Sequence, residues 1–133
     1  MYKKTITYTD YNDEEVTEDF YFNLTETEIS MMDLETEGGL RDKIDRIIKA
    51  KNTPELAKLF KEIILAAYGE KTPDGKYFRK SPEISQKFTY SPAYNIMFME
   101  FATDAGSAAE FINGVVPKQL RVEDPAAVIN TQL

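Results

Sequence analysis

Residues 2–9 alternate in polarity. Tyr2, Lys4, Ile6 and Tyr8 fall on one face, and Lys3, Thr5, Thr7 and Thr9 on the other. A second alternation runs over 15–24, with Val16, Phe20, Phe22 and Leu24 on one face and Glu15, Thr17, Asp19, Tyr21 and Asn23 opposite. β-Branched and aromatic residues at a period of two predict strands. Asp10-Tyr11-Asn12-Asp13 between them reads as the turn. The chain therefore opens on a β-hairpin over 2–24. A lone hairpin is marginal in water, so its apolar face needs a helix, another sheet or a neighbouring subunit as cover.

From residue 25 the period becomes helical. Thr25 with Glu28 three residues on is a capping-box signature, and Ile29, Met32 and Leu34 supply an apolar stripe for a short helix. Gly38-Gly39 breaks it. Leu40, Ile44, Ile47 and Ile48 then repeat at helical spacing up to Asn52. Thr53-Pro54 restarts a helix, with Pro at its first position, and Leu56, Leu59, Phe60, Ile63, Ile64 and Ala67 form its inward face. Gly69 suits a left-handed stop after it. Residues 70–80 read as a turn-rich loop.

Ser81-Pro82 and Ser91-Pro92 are two further helix starts. Tyr94, Met97, Phe98 and Phe101 give the apolar face of the second. Asp104 caps a last helix carrying Ala108, Phe111 and Ile112 and closed by Gly114. After Pro117 the periodicity fades, and 118–133 reads as a loosely ordered tail. The expected fold is α+β: an N-terminal β-hairpin packed on a mostly α-helical body of about five short helices, as one domain over 1–117 (hairpin 2–24, helical body 25–117).

A chain of 133 residues fits one domain with a core of its own. It has no Cys and no His, so disulfides, thiol chemistry and the commonest general base are excluded. No apolar run approaches membrane-spanning length, and Met1-Tyr2-Lys3-Lys4-Thr5 lacks the apolar core of a signal peptide. A soluble intracellular protein is expected. The net charge of −7 is unevenly spread. Residues 1–37 hold 11 acidic and 2 basic side chains, whereas 41–87 hold 7 acidic and 12 basic. Such polarity suits complementary contact with a partner or with copies of the same chain, and the acidic total argues against general nucleic-acid binding.

Candidate chemistry is sparse. Gly69 to Lys76 is not a phosphate loop, because five residues rather than four separate Gly69 from Gly75 and Tyr77 stands where Ser or Thr is needed. Asp13, Glu14, Glu15, Glu18 and Asp19 lack calcium-loop spacing and read as a solvated hairpin tip and face. No catalytic residue, cofactor or metal is assigned. Met32 and Met97 fall on apolar stripes and are expected in the core, while Met31 and Met99 fall outside them and are candidate contact residues. Phe20 and Phe22 on the hairpin's apolar face join them as candidate partner-binding residues.

The order of these segments resembles tail assembly chaperones of long-tailed (siphovirus-type) phages and prophages of Gram-positive bacteria. The resemblance runs from the hairpin through Thr25-Glu26-Thr27-Glu28-Ile29 and Glu35-Thr36-Glu37-Gly38-Gly39-Leu40. It continues in Ala67-Tyr68-Gly69-Glu70-Lys71-Thr72-Pro73-Asp74-Gly75-Lys76, in Phe98-Met99-Glu100-Phe101-Ala102-Thr103-Asp104-Ala105 and in Ala109-Glu110-Phe111-Ile112-Asn113-Gly114, covering about 1–117. It implies a role without catalysis. Such chaperones bind the long, helical, aggregation-prone tape measure protein in the host cytoplasm, are displaced as the major tail tube protein polymerises, and are absent from the mature virion. The alternatives are an acidic phage-encoded inhibitor or DNA mimic that binds a host protein, disfavoured by the basic stretch over 41–87, and a structural tail component.

Overall fold

The computed structural model describes residues 1–49 and 53–116; the expected helix stop at Asn52 and the expected tail over 118–133 lie outside the described residues. Strands β1 (Tyr2–Thr9) and β2 (Glu15–Phe22) form the opening hairpin, antiparallel, with Tyr2 opposite Phe22 and Tyr8 opposite Val16. The turn occupies 10–14 and is organised by Asp10. Its carboxylate accepts from the backbone N–H of Asn12 (2.8 Å) and Glu14 (2.9 Å). Asp13 sits at φ 61°, a left-handed position that Asp tolerates better than most residues.

Among the described residues six helices follow, α1 (Glu26–Glu35), α2 (Leu40–Lys49), α3 (Thr53–Ala67), α4 (Pro82–Thr89), α5 (Pro92–Thr103) and α6 (Ala105–Val115), one more than the expected five or so. The predicted starts carry the structure. The Ser81 and Ser91 side chains accept from Ile84 N–H and Ala93 N–H, each with Pro at the head of its helix. The Asp104 carboxylate accepts from Gly106 and Ser107 N–H. The side chains of Ile44, Ile47 and Ile48, expected to form the stripe of α2, lie outside what is described.

Residues 70–80 are not the expected loop throughout. Residues on either side of a tight turn pair as β3 (Tyr68–Lys71) and β4 (Phe78–Arg79). β3 adds to β2, with Tyr21 opposite Gly69, so one antiparallel sheet has the order β1-β2-β3-β4. Thr72 closes the turn: its N–H donates to Tyr77 C=O at 2.9 Å, and its buried hydroxyl donates to Asp74 at 2.6 Å. Gly69 is accordingly not a helix stop. It lies in β3, where a Cβ would meet the Phe78 ring at 2.6 Å and Arg79 C=O at 2.8 Å. Gly114 is not a stop either, since α6 runs on to Val115 and ends in an extended Val116.

The core lies between the inner face of the sheet and α3–α6. Ile6, Phe20 and Phe22 meet Leu59, Ile63 and Ile64 of α3, Phe88 of α4, Met97 and Phe101 of α5, and Phe111 of α6. Aromatic rings dominate the join. Tyr68 stacks on Phe88 with centroids 4.1 Å apart, and Phe111 packs edge-on against Tyr2 and Phe22. The hairpin's cover is thus its own helical body. Two charged groups share the sheet's inner face, and each has a partner: Lys4 pairs with Glu100 of α5, and Glu18 accepts from the Tyr8 hydroxyl. Phe60, expected in the core with Ile63, is half-buried against it. Among the described residues no helix is long and apolar enough to cross a membrane.

Candidate functional site

α1 lies lightly on the body of the fold. The Thr25 hydroxyl accepts from Glu28 N–H (3.1 Å) and Glu28 accepts from Thr25 N–H (3.0 Å), completing the capping box. The stripe expected of Ile29, Met32 and Leu34 does not form on this helix, because Leu34 points away from the other two. At 100° per residue, Ile29, Met31, Met32 and Leu34 spread around the axis, so no single packing surface can take them all. None of its residues is fully buried. Ile29 and Met32 lean on the core, while Met31 is 50% and Leu34 79% exposed.

A long-range anchor holds the head of this helix. Lys80, just after β4, donates to Glu28 Oε2 (2.6 Å) and to Asn23 C=O (2.6 Å). Burial alone would raise the Glu28 pKa, but the hydrogen bond and charge of Lys80 and the Thr25 N–H outweigh it and hold the pKa below its ordinary value. α4 is tied to α3 in turn, because the Ser85 hydroxyl donates to Leu65 C=O at 3.1 Å.

Between α1, α3 and α4 these anchors leave an open apolar groove. Leu24, Met31, Met32, Leu65, Ala66 and Pro82 line a first hollow of about 520 Å3, with the Lys80–Glu28 pair at its rim. Leu65, Pro82 and Ser85 are shared with a second hollow of about 440 Å3, which reaches Lys61 and Tyr94. The result is an open depression in two adjoining parts, apolar over most of its surface and lined also by Thr27, Ser81, Ser85, Gln86 and Thr89.

The four candidate contact residues separate. Met31 lines the groove. Met99 is 57% exposed on the outer side of α5, next to the exposed Ile96, and is not among the groove residues. Phe20 and Phe22 are 7% and 0% exposed, buried beneath the helical body, so the folded chain does not present them to a partner. Met97 is buried as expected, and Met32 is half-buried where it lines the groove. Lys61 and Leu65 are groove residues that the sequence did not single out, and Pro82 and Tyr94, read there as a helix start and an inward face, line the groove too. The available signal was the scatter of apolar residues around α1, which leaves some of them without an internal partner.

The titratable groups are engaged locally. Burial, with the charges of Glu70 and Glu18, pushes the Tyr68 hydroxyl up to about 12, so it stays protonated at neutral pH. Asp10 and Asp74 hold turns, and Asp19 accepts from the Thr5 hydroxyl. Among the described residues, no group of three or more carboxylates is placed to hold a metal ion.

Comparison with known proteins adds one finding. A family model described as phage tail assembly chaperone matches residues 1–129. No curated protein and no solved structure matches the chain.

Proposed function

The chain belongs to the phage tail assembly chaperone family, and from that membership we propose that it binds the tape measure protein through the groove between α1, α3 and α4, keeping that protein soluble until the tail tube forms. The groove carries the proposal. Its surface is mostly apolar, which suits one face of an amphipathic helix with anchors at i, i+3, i+4 and i+7. Met31 and Met32 supply flexible thioethers that adapt to successive, non-identical segments of a long client.

The role needs no chemical step. Apolar helical surface on the client stays covered while its permanent partner, the polymerising tube protein, is absent, which limits aggregation of an exposed intermediate. Release follows when tube contacts replace chaperone contacts, so the chaperone works in the host cytoplasm and stays out of the virion.

Coexpression tests the reading. The tape measure protein is expected to be soluble with the native chain and insoluble without it. Met31→Glu, which places a charge on the groove wall, is expected to lose most of that effect, whereas Met99→Glu on the outer side of α5 retains it. Equal solubility with and without the chaperone would remove the reading. Loss with Met99→Glu alone would move the binding surface to the outer face of α5.

A further inference from the structure

We propose that two copies of this chain join through the open edge of β1, antiparallel about a two-fold axis, so that their sheets run on into one another. The sheet order β1-β2-β3-β4 leaves one side of β1 without a partner among the described residues. The phase of the hydrogen bonds shows which groups lie there. Asp10 N–H donates to Glu14 C=O, and Asn23 N–H donates to Ala67 C=O. In the hairpin's register the even residues of β1 therefore face β2, and Lys3, Thr5, Thr7 and Thr9 turn their backbone N–H and C=O outward.

This edge lacks most of the usual guards. It runs for 8 residues with no Pro and no break in register. Its inward charge, Lys4, is neutralised by Glu100 of α5. Lys3 remains, exposed on the outer face. A parallel partner in register would set Lys3 against Lys3, whereas an antiparallel one sets it against the other end of the strand. With Ile6 on the axis, Thr5 meets the second copy's Thr7 and Lys3 meets its Thr9. Thr9 stands opposite Glu15 on β2, so the Lys3 ammonium reaches past one Thr to a carboxylate, with Asp13 and Glu14 exposed at the same hairpin tip. The two ends of β1 thus complement each other, and a second copy supplies both charges in the right order.

The helix beneath the edge fits the same axis. α4 packs under β3 and α5 under β1, and Tyr94 of α5 turns toward Phe88 of α4. At 100° per residue, Ile96 lies roughly 160° around the helix from Tyr94, on the side of the open edge, and it is 45% exposed. α5 runs from Ser91, beside the Tyr8 hydroxyl, to Glu100 at Lys4. Ile96 therefore sits level with Ile6, where the two-fold brings it toward its equivalent in the second copy. Strand pairing over so short an edge buries less than the roughly 800 Å2 per partner of a standard interface. The dimer is accordingly weak, its Lys–carboxylate contacts are screened by salt, and a two-fold contact closes at two copies. No residue of β1 lines the groove, so the dimer carries two open grooves and holds two segments of one client. That use rests on the reading of the groove as the client site, but the dimer itself is measured with no client present.

The chain contains no Cys, so single cysteines report the register on the full-length protein. Thr5→Cys and Thr7→Cys mixed in equal amounts are expected to form a disulfide-linked dimer severalfold more than either alone, because these positions face each other while like positions lie diagonally apart. Sedimentation equilibrium of the native chain at low salt is expected to show monomer and dimer in exchange. Thr7→Pro removes an outward N–H and spares the β1–β2 ladder, and is expected to give a monomer with unchanged circular dichroism. Lys3→Glu is expected to weaken the dimer about tenfold, and Glu15→Lys in that background to restore it. A native monomer at high concentration, a dimer that survives Thr7→Pro in a folded chain or is unchanged by Lys3→Glu, or equal crosslinking in single and mixed samples would overturn the proposal. In coexpression, Thr7→Pro is expected to keep less tape measure protein soluble than the native chain does. Equal solubility would remove the two-segment use and leave the dimer standing.

Discussion

A Cβ on Gly114 would lie 2.6 Å from Cδ2 of Tyr2, closer than side chains approach one another. Gly114 sits inside α6, where Ala would be favoured by about 1 kcal/mol on propensity alone. Packing decides the other way, because the Tyr2 ring lies over Gly114 and against Phe111. Gly114→Ala is expected to destabilise the protein by about 1–3 kcal/mol, the usual cost of overpacking. Denaturant melts measure it; an unchanged or raised midpoint would show that Tyr2 moves aside freely. Read in sequence, a glycine near the end of an apolar repeat signals a stop. Neither Gly69 nor Gly114 has the positive φ that a stop requires, whereas Gly38, Gly39 and Gly75 do. The difference lies in the neighbouring rings, Phe78 and Tyr2, and the Tyr2 ring is far from Gly114 along the chain.

At the scale of elements, α1 is the part most dependent on polar anchoring. Its capping box was legible because Thr25 and Glu28 are neighbours in sequence. Lys80, which completes the anchor, lies 52 residues from Glu28, and no local pattern marks it. The Glu28 pKa is lower in the folded protein than the ordinary 4.5. The stabilisation from its ionised form is therefore fully present above about pH 4.5 and is lost as pH falls through the lower, folded value. Because the pair is partly exposed, its weight is modest, roughly 0–1 kcal/mol. Acidification below about pH 4.5 is expected to loosen α1, seen as shifts of the Met31 and Met32 methyl signals before the core unfolds. Glu28→Gln is expected to remove that step. If the step persists in the variant, another carboxylate holds the helix. β3 and β4 illustrate the same limit. Strands of four and two residues are too short to show a period, and β3 becomes recognisable only once β2 offers its edge.

Across the whole molecule, the uneven charge bears on self-association. Residues 1–37 carry a balance of −9 and 41–87 a balance of +5. Copies meeting through these regions would form a head-to-tail contact that closes into rings or runs on as filaments. Sedimentation velocity is expected to show association at 0.1 M salt that is lost at 1 M, as the screening length falls from roughly 10 to 3 Å. A monomer at low salt and high concentration would end the idea. An oligomer indifferent to salt would require an exposed apolar surface such as the Ile96–Met99 side of α5, because Phe20 and Phe22 are buried within each copy.

Elements with local signals were legible in the chain: the alternation of β1 and β2, the Thr25, Ser81, Ser91 and Asp104 caps, and the inward stripe of α3. Each of these depends on residues within a few positions of one another, where backbone geometry leaves few alternatives. Which apolar residues stayed open depended on how the elements packed. Phe20 and Met31 are both apolar residues that a surface would hide if it could. Phe20 found cover because the sheet's inner face meets α3 and α4. Met31 kept half its surface because the apolar residues of α1 point around the helix and the core receives only part of them. The groove is what remains between three helices tied together by Lys80 and Ser85, contacts made across long stretches of chain. Its existence depends on how completely those helices close, and periodicity carries no information about that distance.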